Sequence, residues 1–177
     1  MSRIIVVYKS NYGSTKKYAE WIAEVLNADL YERSKITKEV IDGCTTIIYG
    51  GGVYAGNIIG LNSLLKKYEN VKAKQMIVFA VGASPVSDET EKFINEALAK
   101  VGLKSVKGFY LRGALDEENM NVIHRTMMKM MRKSLSKKDE SDLEYWAQEM
   151  VANGGEAVDW TDKKNINEMI KYINSPK

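Results

Sequence analysis

"IIVVYKSNYGSTKKYAEWIAEVL", residues 4–26, sets a β-branched run against a turn rich in hydroxyls and then against a helical stripe. Residues 4–8 form a short, continuous apolar run, the pattern of a central parallel strand buried on both faces. Tyr18, Trp21, Ile22, Val25 and Leu26 recur at the three- and four-residue spacing of one helix face. A strand that passes through a short turn straight into an amphipathic helix is the first half of a right-handed βαβ crossover.

The same alternation continues along the next eighty residues. Residues 29–31, 45–49, 76–81 and 106–111 read as strands two to five, and residues 58–68 as a helix. Phe93, Ala97, Leu98 and Val101 line a further helix that Gly102 can end. Repeated crossovers with short connections predict an α/β three-layer sandwich, a doubly wound parallel sheet with helices on both faces. The final third breaks that rhythm. Asp116 is expected to cap a helix with Met120, Ile123, Met127, Met130 and Met131 on one face, and a second helix turns Leu143, Trp146, Ala147 and Met150 inward before Asn153-Gly154-Gly155 stops it. Val158 and Trp160 precede a last helix carrying Ile166, Met169, Ile170 and Ile173. Residues 1–177 thus read as one domain, with residues 113–156 as a helical insertion between the fifth strand and the terminal helix.

Composition agrees with one packed unit. The chain has 177 residues, 45% of them hydrophobic, and only two prolines. Its formal charge of +3 does not mark a nucleic-acid binder. No apolar run approaches the ~18 to 20 residues that a spanning helix needs, so membrane contact would have to be peripheral. Cys44 has no second cysteine to pair with, and no charged and apolar leader opens the chain at Met1, which together predict a cytoplasmic protein.

In a doubly wound sheet, ligands bind beyond the carboxyl ends of the strands, where the strand order reverses. Ser10, Asn11, Tyr12, Gly13, Ser14 and Thr15 connect the first strand to a helix, so backbone N–H groups, a helix dipole and several hydroxyls converge there. That is an anion site suited to a phosphate monoester, unless Ser10 and Thr15 serve only as helix caps. The second loop, after strand three, begins at Gly50 and contains Gly51, Gly52, Val53, Tyr54, Ala55, Gly56 and Asn57; the third, after strand four, contains Val81, Gly82, Ala83 and Ser84. Glycines let backbone approach a flat ligand, and Tyr54 offers a ring to stack on it. The three loops describe one composite pocket.

These loops carry a resemblance to the flavodoxin family. Ser10, Asn11, Gly13, Ser14 and Thr15 match its phosphate loop, with Tyr12 where many members have Thr, and the second and third loops match its flavin loops. The resemblance implies the strand order 2-1-3-4-5, FMN as cofactor, and an electron carrier or small flavin-dependent oxidoreductase working with a redox protein or a small donor and acceptor. It also implies backbone groups near Gly56 and Asn57 at the flavin N5. A looser resemblance, through Arg112-Gly113-Ala114-Leu115, the helix with Met127, Met128, Met130 and Met131, and Val158-Asp159-Trp160, is to flavodoxin-like protoporphyrinogen oxidases that reduce menaquinone. A flavodoxin-fold binding module that has lost FMN is the alternative that Tyr12 supports.

Other chemistries lack the side chains. One His and one Cys cannot build a usual zinc site, and no Gly-Lys-Ser/Thr phosphate loop occurs. Gly50, Gly52 and Ala55 fit a dinucleotide fingerprint but follow the third strand rather than the first. His124 reads as a partly exposed helix residue, Cys44 as a small buried hydrophobe, and Trp21, Trp146 and Trp160 as packing residues away from the pocket loops. The Met-rich basic helix could lie on an anionic membrane or dock a quinone or tetrapyrrole; the reading preferred here packs Met120, Ile123, Met127 and Met130 on the domain and leaves Lys129, Arg132 and Lys133 solvated.

Overall fold

The computed structural model describes residues 3–68, 71 and 74–175; Met1, on which the expectation of a leaderless start rests, lies outside them. The central parallel strands are β1 (Ile4–Lys9), β2 (Asp29–Glu32), β3 (Thr46–Tyr54), β5 (Gln75–Gly82) and β6 (Lys107–Arg112). They lie in the order β2-β1-β3-β5-β6, and a short β4 (Asn57–Ile58) pairs antiparallel with the end of β3. In sequence order of the parallel strands this is 2-1-3-4-5, with the reversal between β1 and β3.

Successive side chains of a strand face opposite ways, so each strand feeds two cores. Ile5, Val7, Ile47, Tyr49, Val78 and Ala80 point to one face, which is covered by α3 (Leu61–Lys67) and α4 (Asp88–Lys100) together with Ile41 of α2 (Lys38–Asp42). Val6, Ile48, Ile77, Phe79 and Val81 point to the other, covered by α1 (Ser14–Leu26) and α7 (Asn167–Asn174) through Tyr18, Ile22 and Met169. Sheet and two helical layers form the expected α/β three-layer sandwich. Cys44 is buried, its thiol donating to the Ile41 carbonyl at 3.1 Å, and burial pushes the thiol's pKa up.

Three local expectations are corrected. First, Gly50, Gly51 and Gly52 belong to β3 rather than to a loop, because β1 and β5 flank them and register Gly50 opposite Tyr8 and Phe79. A β-carbon at Gly50 would sit 2.0 Å from the Phe79 ring, and one at Gly51 2.6 Å from Ile58; these two glycines make room for the protein's own side chains. Second, the helix expected over residues 58–68 starts only at Leu61, since Ile58 pairs in the sheet and Gly60 turns the chain at φ 81°. Third, Asp116 caps a turn, accepting from the Asn119 amide, while Asn121 caps α5 (Val122–Leu135) by accepting from the His124 N–H at 2.9 Å.

After β6 the chain forms β7 (Ala114–Leu115), α5 and α6 (Tyr145–Ala152), and returns through β8 (Val158–Asp159), which pairs antiparallel with β7. Arg112 ties this region to the sheet edge. Its Nε donates to the Ala83 carbonyl, its other end pairs with Glu149, and its guanidinium lies 3.9 Å over the Trp160 ring. A second anchor is the Arg132–Glu117 ion pair, in which Glu117 is only 5% exposed. Arg125 adds to it by donating to the backbone carbonyls of Glu117 and Met120.

Candidate functional site

The first loop folds on itself. Ser10 Oγ accepts the Gly13 N–H at 3.0 Å, and Gly13 holds φ 100°, a conformation that L side chains rarely adopt. No side chain caps α1, so Ser10 and Thr15 are not the helix caps they would otherwise have been. Free N–H groups and the positive end of a 13-residue helix therefore stand at the carboxyl edge of the sheet. Ser14 Oγ accepts the Ala114 N–H at 3.1 Å and fastens β7 beside the loop.

The second loop is a hairpin. Val53 and Tyr54 pair with Ile58 and Asn57, and the two turn residues Ala55 and Gly56 both have positive φ, 46° and 76°. The third loop is drawn against the following strand, for Gly82 accepts the Gly113 N–H at 2.7 Å. Tyr110 stands beneath it. Burial pushes its phenol up to about 12, against the lowering effect of hydrogen bonds with Ser84.

The three loops meet at one cavity of about 400 Å³. Ser10, Asn11, Tyr12, Ser14 and Thr15 line it from the first loop; Gly52, Val53 and Tyr54 from the second; Val81, Gly82, Ala83 and Ser84 from the third. Gly13, Gly51, Ala55, Gly56 and Asn57 are not among the lining residues; Gly51 serves packing, and Ala55 and Gly56 shape the hairpin tip. At Gly52 a β-carbon would find nothing closer than 3.6 Å, so this glycine keeps part of the cavity open.

The opposite wall comes from residues assigned to other roles by sequence reasoning. Met120, His124, Met127, Met128 and Met131 face the cavity from α5 and the turn before it, and Trp146 and Met150 from α6. The stripe read from the sequence, Met120, Ile123, Met127, Met130 and Met131, shares only Met120, Met127 and Met131 with this wall; His124 and Met128 lie outside it, and that the face would meet a cavity was not legible. His124 is no ordinary surface residue, because the Tyr12 hydroxyl hydrogen-bonds its Nδ1 and its ring lies 4.7 Å from that of Tyr54. Trp146 likewise lies at the pocket, whereas Trp21 packs edge-on against Tyr18 as a core residue would.

The preferred reading of the Met-rich helix is overturned for its apolar side chains and for Arg132, while Lys129 and Lys133 are exposed as expected. No residue of α5 is fully buried, and Ile123 and Met130 are 70% and 67% exposed instead of packed. Arg132 is not solvated but paired with Glu117. Among the described residues that line the cavity there is no carboxylate, lysine or arginine, and His124 is the sole imidazole. Such a wall can hold a flat apolar group and exclude water, but offers little for acid–base work.

A doubly wound parallel sheet with a composite pocket at its switch point defines a class of α/β ligand-binding protein. Within it, the Flavodoxin domain family matches residues 5–142, and the chain belongs to that family. An uncharacterized protein of Methanocaldococcus jannaschii is 26% identical over 113 residues, 63% of this chain and 75% of that one. Among solved structures, a candidate flavoprotein of Bacteroides eggerthii is similar with a TM-score of 0.50 at 17% identity, over 63% of this chain and 89% of that one, a likeness of fold. Oxidised flavodoxin 2 of Bacillus cereus gives 0.44 at 21% identity, over 63% and 84%. Among the described residues, no helix is long and apolar enough to cross a membrane.

Proposed function

We propose that the chain binds FMN in the three-loop cavity and works as a redox protein, an electron carrier or a small oxidoreductase. The observation that carries this reading is the meeting of an uncapped α1 N-terminus with two further strand-end loops at one cavity of about 400 Å³. The residues present fit the group. Backbone N–H groups of the first loop other than that of Gly13, with the Ser10 hydroxyl, would hold the phosphate, while Gly52 leaves space for the ring between the second and third loops. When bound, FMN supplies one- and two-electron transfer, and the protein orients it. Tyr54, exposed at the second loop, would lie against the ring, and the Met and Trp wall would keep water away. The absence of carboxylates and lysines from the lining favours electron or hydride transfer over proton abstraction.

A second reading, an oxidoreductase acting on a quinone or porphyrinogen, is favoured by one observation: the cavity wall formed by α5 and α6 is apolar and flexible in shape, built of five methionines and a tryptophan. Carrier and enzyme separate in a turnover assay with quinone and porphyrinogen, where only the enzyme gives saturable rates. The FMN reading is tested by the visible spectrum of the purified protein before and after addition of FMN and washing. Retained flavin bands that Gly13→Asp abolishes support it; a colourless protein that ignores FMN overturns it and leaves the flavin-free binding module.

A further inference from the structure

We infer that the outer face of α5 docks on an anionic lipid surface. The helix has two unlike long sides. His124, Met127, Met128 and Met131 face the cavity. Roughly opposite, at 100° per residue, stand Val122, Thr126, Lys129, Met130 and Lys133, with Ile123 at their edge. Val122, Ile123 and Met130 are 78%, 70% and 67% exposed, an apolar strip on a helix none of whose residues is fully buried. The strip is bordered by Lys129 and Lys133, with Lys137 and Lys138 just beyond the helix end, and none of the four has an ion-pair partner among the described residues.

Charge and composition together select the occupant. Residues 125–138 hold six basic and no acidic side chains, which suits a negatively charged surface. A protein partner is commonly gripped by tryptophan, tyrosine or arginine. The strip carries none of these, and both arginines of α5 are already engaged, Arg125 with backbone carbonyls and Arg132 with Glu117. Aliphatic side chains beside free lysines, without directional donors, match the interface of a bilayer. There the apolar groups enter the acyl boundary and the lysines reach phosphate headgroups. Acidic side chains flank the helix in sequence, Asp116 and Glu118 before it and those of residues 139–149 after it, so the positive charge of the docking face is carried by Lys129 and Lys133 within α5.

The test uses the full chain and extruded vesicles of phosphatidylcholine alone or with one third phosphatidylglycerol, in a co-sedimentation assay. Binding to the anionic vesicles only, released by about 0.5 M salt, is expected. The pairs Lys129→Gln/Lys133→Gln and Ile123→Ser/Met130→Ser should each weaken it by roughly tenfold or more with unchanged circular dichroism. As an independent probe, the fluorescence of V122W should shift to the blue with anionic vesicles and stay put with poly-glutamate. Absence of vesicle binding, equal binding to both vesicles, or unaffected variants would overturn the proposal. Salt-sensitive capture by poly-glutamate without vesicle binding would instead assign the face to an acidic protein.

Discussion

The Tyr12 hydroxyl is hydrogen-bonded to Nδ1 of His124, a contact that joins the first strand-end loop to α5 across the cavity mouth. Tyr54 completes the junction, its ring against His124 and its hydroxyl 3.6 Å from the Met127 sulfur. One helix thereby touches two of the three loops that form the pocket. The departure at Tyr12 that supports the flavin-free alternative is, in the folded chain, a side chain turned toward α5.

Replacing Tyr12 by Phe keeps the ring and removes the hydroxyl. The hydrogen bond should contribute about 0.5–1.5 kcal/mol. Tyr54 against His124 and Arg125 on the Glu117 and Met120 carbonyls still hold the first turns of α5, so the loss should be local: trypsin should cut somewhat faster at Arg125 and Lys129, while the urea midpoint of the whole domain moves little. Unchanged cleavage kinetics would show that the contact does not hold α5 down.

Breaking the Glu117–Arg132 pair should be costlier. Arg132 Nη2 donates to Glu117 Oε2 at 2.9 Å, and the carboxylate is almost wholly buried. Arg132→Met leaves that charge without its partner and should destabilise the protein by about 3 kcal/mol in urea unfolding. The double replacement Arg132→Met/Glu117→Gln should recover part of the loss, because the remaining group is neutral.

Gly50→Ala is expected to cost about 1–3 kcal/mol by overpacking, since its β-carbon would meet the Phe79 ring inside a parallel ladder. Phe79→Leu on its own should also destabilise. The two together should be less harmful than their sum, and a double-mutant cycle in urea measures the difference.

Alkaline pH should unfold the protein through its buried phenols. Burial raises Tyr110 to about 12, and burial also raises Tyr49 and Tyr18. A phenol held neutral in the folded state and ionising near 10 when unfolded contributes stability that is intact below pH 10 and is lost as pH rises toward 12. Two units correspond to roughly 2–3 kcal/mol for Tyr110 alone. Chemical denaturation at pH 8 and near pH 11 should therefore show a clear drop, smaller in Tyr110→Phe.

Much of this molecule is written locally. The β-branched run ahead of the Ser10–Thr15 turn, the stripe from Tyr18 to Leu26 and the strand-end glycines are short-range patterns. They determine strand, turn and helix, and so the doubly wound order and the three loops, because side-chain periodicity and turn chemistry act over a few residues. What tertiary structure decided was which neighbours each pattern would meet. The spacing of Met120, Ile123, Met127, Met130 and Met131 announces a helix face, but the side that meets the cavity is turned to His124, Met127, Met128 and Met131, with Ile123 and Met130 left outside. That side faces a cavity because Arg132 on Glu117 and Arg112 on Glu149 hold α5 and α6 over the sheet edge. Gly50 and Gly51 look like ligand-facing glycines until Phe79 and Ile58 fill the space beside them. Periodicity specifies a direction within one element; what lies in that direction is set by contacts between residues far apart in the chain.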